Sequence, residues 1–152
     1  MKSLKEQLDF YHHYHTKRVT KITHFIGVPL IVLSLMMALN WLDFGIHGGP
    51  HVSAMWLAVL LLSIYYILLD WRLALGMVVV FILLGILATL TTGNRATWHG
   101  GMIALTLFIV GWIAQLIGHY FEGKKPALMD NLFQIFIAPI FLLAEIIPPH
   151  RH

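Results

Sequence analysis

Three polar side chains stand near the end of a long apolar stretch: Gln115, His119 and Glu122. Spaced i, i+4, i+7, they share one face of a helix. A membrane helix that carries three polar groups on one face needs a common partner for them, because an unpaired polar group in hydrocarbon is costly. Upstream, Tyr11 and His15 form a second i, i+4 pair, with His24 nine positions further on. On an unbroken helix His15 and His24 would point about 180° apart, so both reach one metal only if the chain bends between them. Thr16, Val19, Thr20 and Thr23 are mediocre helix formers that permit such a bend. Neutral imidazoles plus a carboxylate, without sulfur, suit Fe(II), Mn(II) or Zn(II), and two histidines with one carboxylate make the donor set of non-haem Fe(II) oxygenases. Composition does not choose among these metals.

The elements that must position these groups follow from the composition. Of the 152 residues, 59% are apolar and 11% are charged, against about 25% charged in a soluble domain. So few charges do not cover a water-facing surface, which excludes a soluble globular enzyme. The absence of cysteine excludes disulfides, Fe–S clusters, thiolate zinc sites and a cysteine nucleophile. A net charge of +3, scattered along the chain, gives no footprint for nucleic acid.

Four uncharged stretches match the roughly 20 helical residues that a bilayer core requires: Phe25 to Leu42, Val52 to Leu69, Leu73 to Thr92 and Gly100 to Gly118. Each is apolar on all sides, as lipid demands of a spanning helix. A fifth, Leu132 to Ile147, contains Pro139 and Glu145 and is too short for a core of roughly 30 Å, which predicts a re-entrant or interfacial helix. The expected fold is therefore an all-α integral membrane domain over residues 1–152. It has four transmembrane helices in antiparallel hairpins, a polar opening segment over 1–23 and a C-terminal helix that does not cross. Short loops, Asp43 to His51, Asp70 to Arg72 and Gly93 to His99, join the spans.

Basic residues set the orientation. Lys2, Lys5, Lys17, Arg18 and Lys21 precede the first span, Arg72 follows the second, and Lys124 and Lys125 follow the fourth, against Arg95 alone on the other face. Both termini are thus expected in the cytoplasm, as in a bacterial inner membrane or an endoplasmic reticulum membrane. His12, His13, His15, His24 and His119 then lie on the cytoplasmic side with Asp70 and Glu122, joined by His150 and His152 if the fifth segment turns back. His47, His51 and His99 are expected as loop polarity on the far side. Gly27 and Pro29, just after His24, predict a kink near the cytoplasmic end of the first span.

In order along the chain, Tyr11, His15, His24 and Gly27-Val28-Pro29 are followed by Gln115, Gly118, His119, Glu122, Lys124, Lys125 and Pro126-Ala127-Leu128. Ala138-Pro139 with Glu145 downstream closes the pattern. This combination resembles the small multi-pass 2-hydroxy fatty acid dioxygenases associated with phytosphingosine breakdown, formerly a domain of unknown function. The resemblance covers nearly the whole chain, with one departure: Thr20 stands where the family commonly has Asn. It implies Fe(II)-dependent oxidation of a long-chain 2-hydroxy fatty acid by dioxygen, releasing an acid or aldehyde one carbon shorter. A 2-hydroxy acid chelates iron through its carboxylate and hydroxyl while its tail lies in the bilayer.

On that reading His15, His24 and His119 are the leading metal ligands. Asp70 and Glu122 compete for the carboxylate or a supporting role, and Gln115 hydrogen-bonds a ligand or bound water. Tyr11, Gln115 and Glu122 are the candidate catalytic residues. Two other readings are a histidine-based metal or proton transporter and another metal-dependent membrane lipid hydroxylase. A transporter needs polar residues through the middle of its spans, where only Ser34, Ser63, Gly85 and Thr106 occur. A di-metal hydroxylase needs about eight clustered histidines, more than the cytoplasmic side supplies.

Overall fold

The second helix begins well before its apolar stretch, at Arg18 rather than Phe25. A helix need not end where hydrocarbon ends, and here it continues one and a half to two turns into polar sequence, carrying His24. The computed structural model describes residues 4–13, 15–45, 52–124 and 134–147. Within them the chain forms six helices and no strand: α1 (Leu4–His13), α2 (Arg18–Asn40), α3 (Ala54–Leu69), α4 (Trp71–Thr92), α5 (Trp98–Glu122) and α6 (Gln134–Ile146). His47, His51, Lys125, Pro126-Ala127-Leu128, His150 and His152 lie outside the described residues, as do positions 132 and 133 of the expected last helix.

Three helices, α2, α4 and α5, are long and apolar enough to cross a membrane. Large apolar side chains such as Leu61, Leu83, Leu90 and Leu105 stand exposed on the surface, where lipid would accept them and water would not. The protein therefore has the character of a membrane protein.

Helix α3 has 16 residues and starts at Ala54, two later than expected from hydropathy. Ser53 is held in an isolated antiparallel bridge with Asp43, and the Asp43 carboxylate accepts from the amides of Gly45 at 2.7 Å and Val52 at 3.3 Å. At its other end α3 meets α4 through one residue. Asp70 is the last cap of α3 and the first of α4, and its carboxylate accepts from Arg72 N at 2.9 Å and Leu73 N at 3.0 Å. That is side-chain capping of the free amides at a helix start.

Helices α2 and α5 form the most extensive pairing in the fold. Glycines make it possible: a Cβ placed on Gly27 would lie 2.7 Å from the Gly111 carbonyl oxygen, and one on Gly111 would lie 2.9 Å from that of Gly27. Two backbones that touch in this way are the small-residue packing favoured between membrane helices. Pro29 lies inside α2 without ending it. Helix α6 packs on α4, α1 and α2, and buries Ile137, Ile140 and Phe141 completely or nearly so. The Glu145 carboxylate near its end accepts from Lys21 Nζ at 2.6 Å and lies 3.3 Å from His12 Nδ1.

Candidate metal centre

The chain does bend between its first two candidate ligands. Helix α1 stops at His13, α2 starts at Arg18, and His15 sits in the connection. Its Nδ1–H donates to the carbonyl of Tyr11 at 2.7 Å, and its ring stacks face to face on the Tyr11 ring with centroids 4.1 Å apart. His24 repeats the arrangement one helix later, with Nδ1–H donating to the carbonyl of Thr20 at 2.7 Å. A carbonyl only accepts, so both Nδ1 atoms carry the proton and both Nε2 atoms present a lone pair.

Those lone pairs converge. His15 Nε2 lies 2.9 Å from His24 Nε2, which lies 3.2 Å from His119 Nε2. All three residues are buried, and together they form a group of close donor atoms able to hold a metal ion. Burial pushes the His15 imidazole down to about 4, so it stays neutral near pH 7, as a ligand must. Two neutral imidazoles facing each other through lone pairs at 2.9 Å repel unless a cation lies between them. Bonds of about 2.1 Å to adjacent positions of one metal place their nitrogens about 3 Å apart, so the donor set and its spacing both fit a metal ion.

Helix α5 delivers His119 through a second glycine contact. A Cβ on Gly118 would collide with the Thr23 hydroxyl and lie 3.3 Å from the His24 ring. The helix then ends at Gly123, whose φ of +74° is the left-handed conformation and whose amide closes onto the His119 carbonyl at 3.0 Å.

Glu122, one turn past His119, holds the bend from behind. One carboxylate oxygen accepts from the amide of Thr16 at 3.0 Å and from the Thr16 hydroxyl. The other accepts from the amide of Lys17 at 3.0 Å and the Thr20 hydroxyl at 2.7 Å. An anion against the two amides just before α2 also sits favourably at the positive end of the helix dipole. Thr20, fully buried, contributes twice: its hydroxyl points at Glu122 and the Gly118 carbonyl, and its own carbonyl fixes His24.

The expected site residues thus divide. His15, His24 and His119 come together, with Tyr11 behind His15, Glu122 behind the bend and Gln115 beside them. Asp70 does not join them, because its carboxylate is engaged in capping α4. Lys17 and Lys124 donate their amines to the carbonyls of Phe121 and His13, and His99 is exposed. Burial raises the Tyr11 phenol above its ordinary range, so it remains protonated and offers a donor rather than a base. Two contributors were not legible in the sequence. Phe141 of α6 packs on Tyr11 at 4.2 Å, and Tyr66 donates to the Phe136 carbonyl at 2.5 Å.

An apolar cavity of about 400 Å³ opens on the three imidazoles, with Tyr11 and Gln115 at the same end. A buried cluster of three histidines able to hold a metal ion, at the head of an apolar cavity inside a helical membrane-type fold, fits a lipid-handling protein better than an ion path. The comparisons give the family: the chain belongs to the Mpo1-like family, described as 2-hydroxy-palmitic acid dioxygenase Mpo1-like, whose model matches residues 1–149. It is 37% identical over 144 residues to the 2-hydroxy-palmitic acid dioxygenase MPO1 of Saccharomyces cerevisiae, covering 93% of this chain and 78% of the yeast protein. No solved structure matches the chain.

Proposed function

We propose that the protein is an Fe(II)-dependent dioxygenase that shortens long-chain 2-hydroxy fatty acids by one carbon. The observation that carries this reading is the buried triad of imidazoles at the mouth of an apolar cavity. The activity named for the yeast relative supports it. His15, His24 and His119 hold the metal, which supplies a Lewis acid and a one-electron redox centre for oxygen chemistry. Overall, R–CH(OH)–COOH and O₂ give R–COOH, CO₂ and H₂O, which balances with no reductant beyond the substrate.

The protein groups bind and orient. Tyr11 and Thr20 lock two ligand tautomers through their carbonyls. The Gln115 amide and the protonated Tyr11 phenol, both lining the cavity, are placed to hydrogen-bond the head group, and the apolar walls exclude water from it. We place this site at the cytoplasmic ends of four crossing helices, α2 to α5, with α6 lying at the interface over them. The eight basic residues on that side support the orientation.

Purified protein loaded with Fe(II) is expected to convert 2-hydroxyhexadecanoic acid to pentadecanoic acid in air and to be inert without oxygen. Hexadecanoic acid, which lacks the second chelating oxygen, is expected to react poorly. Turnover under anaerobic conditions, or metal flux into liposomes without lipid product, would sink the assignment. The chain has no cysteine, so single cysteines report topology directly. Labelling at positions 3 and 150 from the cytoplasmic side only is expected, and far-side labelling at 150 would make α6 a span.

A further inference from the structure

The face of α2 that carries His24 continues past the site. His24, Val28, Ile31, Leu35 and Leu39 follow at three- and four-residue steps, and all line the cavity. Opposite them, Tyr66, Leu62, Val59 and Met55 of α3 form a second wall at the same steps. The two helices run in opposite directions. Tyr66 is tied to α6 at the histidine end, while the amide of Ala54, next to Met55, donates to the carbonyl of Leu42 at 2.8 Å. Leu39 and the fully buried Met55 therefore line the cavity at the end remote from the histidines.

We infer that this cavity measures its ligand: a straight acyl chain lies along α2 with its methyl end against Leu39 and Met55. From His24 to Leu39, at about 1.5 Å per residue, the wall is about 22 Å long. Carbon–carbon bonds of about 1.5 Å meeting at about 111° advance about 1.25 Å per carbon, so the cavity accommodates about sixteen to eighteen carbons. The site that fixes the head group rests on the 2-hydroxy acid reading above, but the gauge depends only on the shape and apolarity of the walls. Each methylene that finds room inside should tighten binding about three- to fourfold, and each one beyond the remote end should add nothing or weaken it.

The test is competition binding of unreactive straight-chain fatty acids from 8 to about 22 carbons, on full-length protein in nanodiscs. Affinity is expected to rise severalfold per carbon and to break at about sixteen to eighteen. Leu39→Phe should move the break about two carbons shorter, and Met55→Ala about two carbons longer. Either variant alone decides by the sign of its shift, with thermal midpoint and metal content checking that it is folded. A break that stays fixed in a folded variant, or a series with no break, overturns the gauge. Turnover of the matching 2-hydroxy acids is read separately. A clear break without turnover supports the gauge and sinks the reaction, whereas turnover indifferent to chain length sinks the gauge alone.

Discussion

His15 and His24 are nine residues apart, yet their Nε2 atoms meet at 2.9 Å while each Nδ1 gives its proton to the carbonyl four residues upstream. The same local device is used twice, once at a chain bend and once on a helix. It orients two lone pairs toward the place where His119 arrives from α5.

Removal of the third imidazole tests the cluster. His119→Ala is expected to lower metal content at least about tenfold, the range reached merely by disturbing the groups behind metal ligands. His99→Ala, at an exposed position, should leave it unchanged. Metal analysis of the two purified variants checks this, and equal contents would refute the assignment.

Glu122 is expected to matter for stability before chemistry. Glu122→Gln keeps the shape but removes the charge that four donors share, and turns an amide NH₂ toward the backbone N–H of Thr16 or of Lys17, which can only donate. Charge-assisted bonds of this kind are worth about 1.5–3 kcal/mol each, so unfolding should move to clearly lower temperature or denaturant. A titration should also show weaker metal binding, because the bend that carries His15 is loosened.

Thr20 separates shape from hydrogen bonding. Thr20→Val keeps the volume and loses the donor to Glu122 and Gly118, and is expected to cost about 1–3 kcal/mol with a parallel loss of metal affinity. Thr20→Asn offers two N–H groups for those two acceptors and should retain or improve turnover. Inactive, unstable Thr20→Asn protein would show that the pocket around Thr20 has been refitted to the smaller side chain.

Two glycines on α5 should respond oppositely to one methyl group. Gly118→Ala drives a Cβ into Thr23 and toward the His24 ring, at a cost of about 1–3 kcal/mol and with displaced metal binding. Gly101 has nothing within 4 Å of a built Cβ, so Gly101→Ala should be neutral or stabilising by up to about 1 kcal/mol through helix propensity. Thermal unfolding of the pair checks the sign.

The sequence announced the apolar helices and the polar face of α5, because lipid and helical periodicity leave patterns that hydropathy and spacing read directly. It did not announce that α2 reaches back to Arg18, since charged residues at a membrane edge look like loop whether or not they are helical. The carbonyls of Tyr11 and Thr20 were invisible for a different reason: every residue has one, and only the fold decides which faces a histidine. Asp70 looked like a ligand by its type and side of the membrane. A one-residue connection between two helices has a stronger need for a capping carboxylate. Phe141 carried no signal, because an aromatic in an apolar helix is unremarkable until another chain segment closes beneath it.

The imidazoles of His24 and His119 are 95 residues apart along the chain. At synthesis rates of about 5–20 residues per second, roughly five to twenty seconds pass between the emergence of the first and the last. Throughout that interval the nascent chain holds two of the three imidazoles, and any product cut short before α5 is complete holds no more. The centre is consequently an all-or-nothing record of completed biogenesis. Premature termination, failed insertion of the last long helix or its insertion the wrong way round each yield a chain without the three-imidazole cluster.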